Sequence, residues 1–230
     1  MRTSVVTPAG LLAALAAAGQ CAGATLEVSV ADAEGKPIAN VAVYAASHAP
    51  AENGATATDT AALTSSGLAK KATMDQRRGQ FVPHMLVVEA GTEVTFPNSD
   101  SVSHHVYSFS PTKEFELPLY KGDLYPPVLF DQPGIVVVGC NIHDSMLGYI
   151  RVVETPYFAV TNEQGVALIE DIPSGEYAVE VWTPRVRPTE LPAAQHVVVA
   201  SGAATADVRI SGRLAAAHAH GTSSLTWERY

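Results

Sequence analysis

From about residue 25 onward, apolar and polar side chains alternate at period two through most of the chain, the repeat of strands with one buried face. Leu26, Val28 and Val30 share one face, the cluster Asp32-Ala33-Glu34-Gly35-Lys36-Pro37 turns the chain, and Ile38, Val41 and Val43 resume the pattern. Residues 25–47 therefore read as a β-hairpin. The alternation returns near Phe81 and then at residues 85–88, 94–96, 106–109, 128–130, 135–138 and 149–153. Residues 110–127 read as a polar, proline-rich excursion between strands. Past Thr155-Pro156 the strands shorten and are joined by Asn162-Glu163-Gln164-Gly165 and Ile172-Pro173-Ser174-Gly175, with further strands at 195–199 and 206–210. Short strands punctuated in this way predict an all-β protein of one or two sandwiches. Residues 48–71, rich in Ala, Thr, Ser and Gly with few large apolar side chains, read as a flexible linker, and 212–230 as a disordered tail.

The N-terminus changes the picture by adding a compartment. Arg2, the apolar run Leu11-Leu12-Ala13-Ala14-Leu15-Ala16-Ala17-Ala18 and the small triplet Ala22-Gly23-Ala24 have the pattern of a signal peptide, residues 1–24, cleaved before Thr25. That run is too short to span a bilayer, and no later segment approaches the length a membrane helix needs. The expected location is periplasmic or secreted. A formal charge of -9, with 14 Lys and Arg against 23 Asp and Glu, argues against a nucleic-acid partner and suits transient docking on a basic protein.

Of the two cysteines, Cys21 lies in the expected leader, which leaves Cys140 without a disulfide partner. A lone cysteine is most often a small buried hydrophobe. Its neighbourhood points elsewhere: Cys140-Asn141-Ile142-His143-Asp144-Ser145-Met146 places thiolate, imidazole and thioether donors on one loop, each three residues apart. Two His and one Cys with a weak axial Met make an electron-transfer copper site, so the loop lacks one histidine. His104 or His105 can supply it; neighbours on a strand point to opposite faces, so only one of the two binds. Met146 also fits ordinary core filling. His84 and His196, in apolar strands, read as structural, and His218 with His220 forms a pair in the tail.

The run from Cys140 through Met146, continued by Leu147-Gly148-Tyr149-Ile150-Arg151-Val152, resembles the short ligand loop of amicyanin in the cupredoxin (blue copper) family. The family's remote His is followed by Asn and a valine-like residue. Here His104-His105-Val106 stands in that place, which implies His104 as the ligand and His105 as its fallback, with His105 where the family has Asn. Gln80-Phe81-Val82-Pro83-His84, Phe96-Pro97-Asn98-Ser99-Asp100 and Thr155-Pro156-Tyr157-Phe158 resemble plastocyanin-like proteins labelled methylamine utilisation proteins. Residues 25–47 and 156–211 resemble the two parts of a transthyretin-like or carboxypeptidase regulatory-like β-sandwich.

The resemblance implies a cupredoxin Greek-key sandwich over 72–155, inserted into the second, smaller sandwich. It further implies one type 1 copper held by His104, Cys140, His143 and Met146, and a one-electron carrier serving redox protein partners. Copper storage, delivery or sensing is the alternative function. An enzyme with a second copper centre needs clustered histidines that residues 25–211 do not offer.

Overall fold

A computed structural model describes residues 23–47, 70–122, 125–143 and 145–215; the expected leader through residue 22, residues 48–69 of the expected linker and the His218/His220 pair lie outside the described residues. Two strands open it, β1 (Ala24–Asp32) and β2 (Ala42–Ser47). In the middle lie β3 (Lys71–Thr73), β4 (Asp75–Arg77), β5 (Gln80–Val82), β6 (Met85–Glu89), β7 (Thr92–Thr95), β8 (His104–Ser110), β9 (Lys113–Tyr120), β10 (Val128–Phe130), β11 (Gly134–Gly139) and β12 (Leu147–Val153). The last group is β13 (Phe158–Val160), β14 (Val166–Ile172), β15 (Gly175–Trp182), β16 (Gln195–Val199) and β17 (Ala203–Ile210), with a 3-10 turn at Pro188–Glu190. The fold is all-β.

Strands from the two ends of the chain combine. The sheet β14-β1-β17 and the sheet β13-β2-β15-β16 enclose one core, in which Leu26, Val28 and Val30 meet Val41, Val43, Ile169, Ile172 and Val179. The hairpin expected over residues 25–47 is present only around its turn, where Ala31 bridges Pro37 and Ile38 N donates to Val30 O at 3.0 Å; β1 and β2 themselves lie in different sheets and face each other across the core. The period-two pattern says which face of a strand is buried and not which neighbour supplies its ladder bonds, so it suits both arrangements. Local chemistry favours the crossing. Asp32 Oδ1 accepts from the amides of Glu34 (3.1 Å) and Lys36 (2.7 Å), Ile38 is buried, and Asn40 takes a left-handed φ of 58° before β2 begins.

The middle strands form a second sandwich. A five-stranded sheet, β6-β12-β11-β8-β9, covers the three-stranded sheet β10-β7-β3, with the ribbon β4-β5 alongside. Its core is Phe81, Val94, Phe96, Val106, Phe130, Val136, Val138, Ile150 and Val152. The excursion expected at 110–127 is corrected here, because residues 113–120 are strand β9, paired antiparallel with β8. Pro118 hides this strand from a propensity reading. As the last strand of its sheet, β9 has one edge whose donors need no partner, and there proline is tolerated.

The outer face of the five-stranded sheet seats the terminal sandwich. Met85, Val87 and Val153 pack against Ala42, Tyr44 and Trp182, and the Tyr149 and Trp182 rings meet edge-on at 5.9 Å. A polar clamp crosses the same junction: Arg151 Nη2 donates to the Tyr44 hydroxyl at 2.8 Å, and that hydroxyl donates to Glu180 Oε2 at 3.0 Å. Burial pushes the Tyr44 phenol above its ordinary pKa, which keeps the proton it donates. Tyr44→Phe breaks both bonds and leaves two charged groups short of a partner. We expect a loss of about 2 kcal/mol, seen as a lower urea midpoint with unchanged slope.

The chain passes between the sandwiches through a stapled crossing, in which Thr155 Oγ1 donates to Ala45 O (2.7 Å) and Ala45 N donates to Tyr157 O (2.8 Å). The expected tail also begins later than residue 212, since Ala215 exchanges bonds with Arg185 through its amide (2.8 Å) and its carbonyl (2.9 Å). At the other end Ala24 is buried and pairs with Ile172, so a leader ending at residue 24 would take one core residue with it.

Candidate metal centre

Strand parity aims the first donor. Val136 and Val138 of β11 point into the middle core, so Cys140, two residues further on, keeps that direction and is buried. The loop returns at once. Cys140 N donates to Met146 O at 3.3 Å and Met146 N to His143 O at 2.9 Å, a closure that leaves Met146 buried in the same core as Cys140. Asp144 lies outside the described residues.

Strand β8 aims the second donor in the same way. His104 and Val106 face the core, and His104 is fully buried. A register shift between His104, opposite Tyr120, and Val106, opposite Leu117, marks a bulge in this ladder. His105 occupies the other face. Its Nε2 is 3.0 Å from Glu116 Oε1, close enough for an ion pair though not aligned for a hydrogen bond.

Three donors meet as a result. His104 Nδ1 and His143 Nδ1 are 3.2 Å apart, and Cys140 Sγ is 3.9 Å from the first and 3.8 Å from the second. The centre of a circle through atoms so spaced lies about 2.1 Å from each, within the usual range for metal bonds to imidazole nitrogen and close to that for thiolate sulfur. The donor set therefore fits a metal ion without rearrangement. Among the described residues it is the one group of three His, Cys or acidic side chains close enough to share an ion. Of the other histidines, His84 lies in the bend between β5 and β6, outside the strand expected for it, and makes an edge contact with Tyr149 at 5.4 Å, while His196 lies on β16 with its side chain exposed; neither joins the donor group.

Asp100 stands behind His104 and is a residue that the sequence pattern marked only as the end of a motif and not as part of the site. Its Oδ2 lies 3.0 Å from His104 Nε2, which places the ring proton on Nε2 and leaves the Nδ1 lone pair toward Cys140 and His143. The carboxylate is itself fixed by the amides of Gly79 and Ser101, each at 2.7 Å. Its loop is anchored to Asp75 by the Ser99 hydroxyl (2.9 Å) and to Tyr120 O by Asn98 Nδ2 (2.8 Å). A carboxylate four residues before a candidate histidine was the available signal.

Burial raises the Asp100 pKa, but the bond to His104 and the amides of Gly79 and Ser101 outweigh it, and the net shift is downward. His143 is also shifted down, by burial first and by the neighbouring His104, against the opposing pull of Asp100. For the metal-free protein both signs agree. A depressed folded pKa contributes stability that is complete above the unfolded value and lost as pH falls through the folded one. We expect the urea midpoint to decline from below about pH 6.5 as His143 protonates and again below about pH 4 as Asp100 does, with Asp100→Asn weakening the second step.

No family model matches the chain, and no curated protein matches it. Solved structures do resemble part of it. The Novel Purple Cupredoxin from Nitrosopumilus maritimus is 24% identical over 36% of this chain and 99% of its own, with a TM-score of 0.32. An oxidized amicyanin variant is 20% identical over 35% of this chain and 80% of its own, with a TM-score of 0.33. The copper-containing nitrite reductase from Thermus scotoductus is 26% identical over 36% of this chain and 23% of its own, with a TM-score of 0.33. The solved structures to which about a third of this chain is similar are thus cupredoxins and a copper-containing reductase.

Proposed function

We propose that this protein is a cupredoxin that carries single electrons through one type 1 copper, which would be held by His104 Nδ1, Cys140 Sγ and His143 Nδ1, with the buried Met146 thioether as a further, weak donor. The observation that carries this reading is the triangle of two imidazole nitrogens and one sulfur, already at metal-bonding dimensions and built from the donors electron-transfer copper uses. Copper bound there supplies a one-electron couple between Cu(II) and Cu(I). The residues do the remainder. Asp100 holds His104 in one tautomer, the buried wall around Cys140 and Met146 keeps water from the thiolate, and the half-buried His143, next to the exposed Ile142, is the edge at which electrons enter and leave. The role we assign to this arrangement is that of a carrier and not of an enzyme. An exported, periplasmic setting is consistent with the leader-like N-terminus, because a metal protects an unpaired thiol in an oxidising compartment.

Loading the full chain with Cu(II) and recording its visible spectrum tests the reading. An intense thiolate charge-transfer band is expected in the wild type and in His105→Ala, and its loss in His104→Ala. A colourless copper complex would favour storage or delivery and overturn the carrier function. Colour that survives His104→Ala but not His105→Ala reverses the assignment of the remote ligand.

A further inference from the structure

Three arginines gather where the chain leaves β15 for the 3-10 turn and where it leaves β17. Arg185, Arg187 and Arg213, together with Val186, Glu190 and Leu214, line an open cleft of about 730 Å³. Two segments, 184–190 and 212–215, are held together to form it. Ala215 N donates to Arg185 O at 2.8 Å, and Arg185 Nε donates back to Ala215 O at 2.9 Å. Gly212 permits the approach, since a Cβ there would stand 2.7 Å from Val186 Cγ1 and 2.8 Å from Glu190 Cβ. Glu190 N donates to Arg187 O at 2.9 Å and closes the turn. Val186 and Leu214 pack into the terminal core, so the floor of the cleft is fixed to the sandwich.

The arginines are placed against the trend of the chain. With 14 Lys and Arg against 23 Asp and Glu, a cation meets an acid more readily than another cation. Lys70, Arg77 and Lys113 follow that trend, paired with Glu89, Asp75 and Asp131. Among the described residues, none of Arg185, Arg187 and Arg213 lies within ion-pair distance of a carboxylate, and Glu190 is the one acid lining the cleft. Like charges gathered in this way repel one another, and an anion among them reverses the sign of the interaction. A guanidinium presents a planar fork that takes a carboxylate or a phosphate through two parallel hydrogen bonds. With Nε of Arg185 bonded to Ala215 O, its Nη atoms form the remaining fork.

We infer that this cleft binds a small polyanion, a molecule carrying at least two carboxylate or phosphate groups, through the guanidinium forks of Arg185, Arg187 and Arg213. Size and field both select a small ligand. The volume lies within the usual range for small-molecule sites. A chain of net charge -9 repels an extended polyanion, whereas at physiological salt charges beyond about 8 Å are screened and a compact anion feels the local arginines. The bound anion ties segment 184–190 to segment 212–215. Leu191, next to the turn, packs against both the terminal core and the junction with the middle sandwich, so occupancy stabilises the terminal sandwich and its seat. None of the lining residues belongs to the middle sandwich, and the site is independent of the candidate metal centre.

Calorimetric titration of the metal-free full chain with tricarballylate, a tricarboxylate, and with pyrophosphate in about 150 mM salt tests the site. One-to-one binding at least about tenfold tighter than that of acetate is expected for one or both, and the tighter of the two identifies the source as carboxylate or phosphate. Arg187→Gln and Arg213→Gln alter exposed side chains, so the circular dichroism should not change, and each should weaken binding by about tenfold. Arg187→Lys keeps the charge without the fork and should weaken binding nearly as much. The anion should raise Tm in the wild type and leave it unchanged in the Arg187→Gln, Arg213→Gln double variant. Binding no tighter than that of acetate, affinity indifferent to the arginines, or full affinity in Arg187→Lys would overturn the site. So would polyglutamate bound more tightly than either small anion at that salt, because it would show a surface made for an extended chain.

Discussion

Replacing Cys140 with serine is expected to abolish the visible charge-transfer band and to weaken copper binding by at least about 100-fold, more than the loss of an outer-shell partner costs. Sulfur is the only soft anionic donor in the triangle, and a hydroxyl in its place stays protonated and hard. The two imidazoles would remain 3.2 Å apart, so residual binding is that of a two-histidine site. Serine is nearly the same size, and Cys140 has no disulfide to lose, so the far-ultraviolet circular dichroism should not change. Competition against a Cu(I) chelator, with the visible spectrum beside it, measures both effects. A serine variant that kept its colour would exclude Cys140 as the source of the band.

Gly165→Ala is expected to be the most damaging single methyl in the terminal sandwich. Gly165 has a φ of 72°, and a Cβ there would lie 2.5 Å from Val30 O and 3.0 Å from Ile38 N, both backbone atoms that cannot rotate aside. Two bonds fix the position: Gly165 N donates to Asn162 O at 2.9 Å, and Gly165 O accepts from Val30 N at 2.8 Å. Left-handed strain and overpacking together should cost about 3 kcal/mol, or roughly 6–12 °C in Tm for a chain of this size. The site lies in the other sandwich, so the spectrum of the folded variant should equal that of the wild type. A variant with unchanged Tm would show that the turn at 162–165 can relax.

The sequence was most legible where chemistry and periodicity coincide. The spacing of Cys140, His143 and Met146 marks a candidate ligand loop, and the adjacency of His104 and His105 reduces the candidate remote donor to a choice of parity. Parity itself depends on strand β8 keeping register with β9, and β9 was the strand that Pro118 concealed. Asp100 stood out only as the end of the motif Phe96-Pro97-Asn98-Ser99-Asp100, because its partner is a single ring nitrogen, His104 Nε2, brought to it by the fold of a loop that no strand period reveals. The same limit explains the opening strands. Alternation in Leu26, Val28, Val30 and Val41, Val43 identifies buried faces, whereas the choice between hairpin and crossing depends on strands more than 100 residues away.

That remoteness also orders the folding of the chain. β1 is the central strand of its sheet, between β14 and β17, and β2 lies between β13 and β15. Neither has a ladder partner until residues beyond 157 are available, while every partner within the middle sandwich lies between residues 71 and 153. During synthesis the donor-bearing sandwich is the first unit able to close, and closing it shortens the loop that the first 47 residues must bridge to reach their partners. The middle sandwich then serves as an assembly jig for the outer one, and a core lesion at Phe81 or Val136 would strand both halves of a structure that contains neither residue.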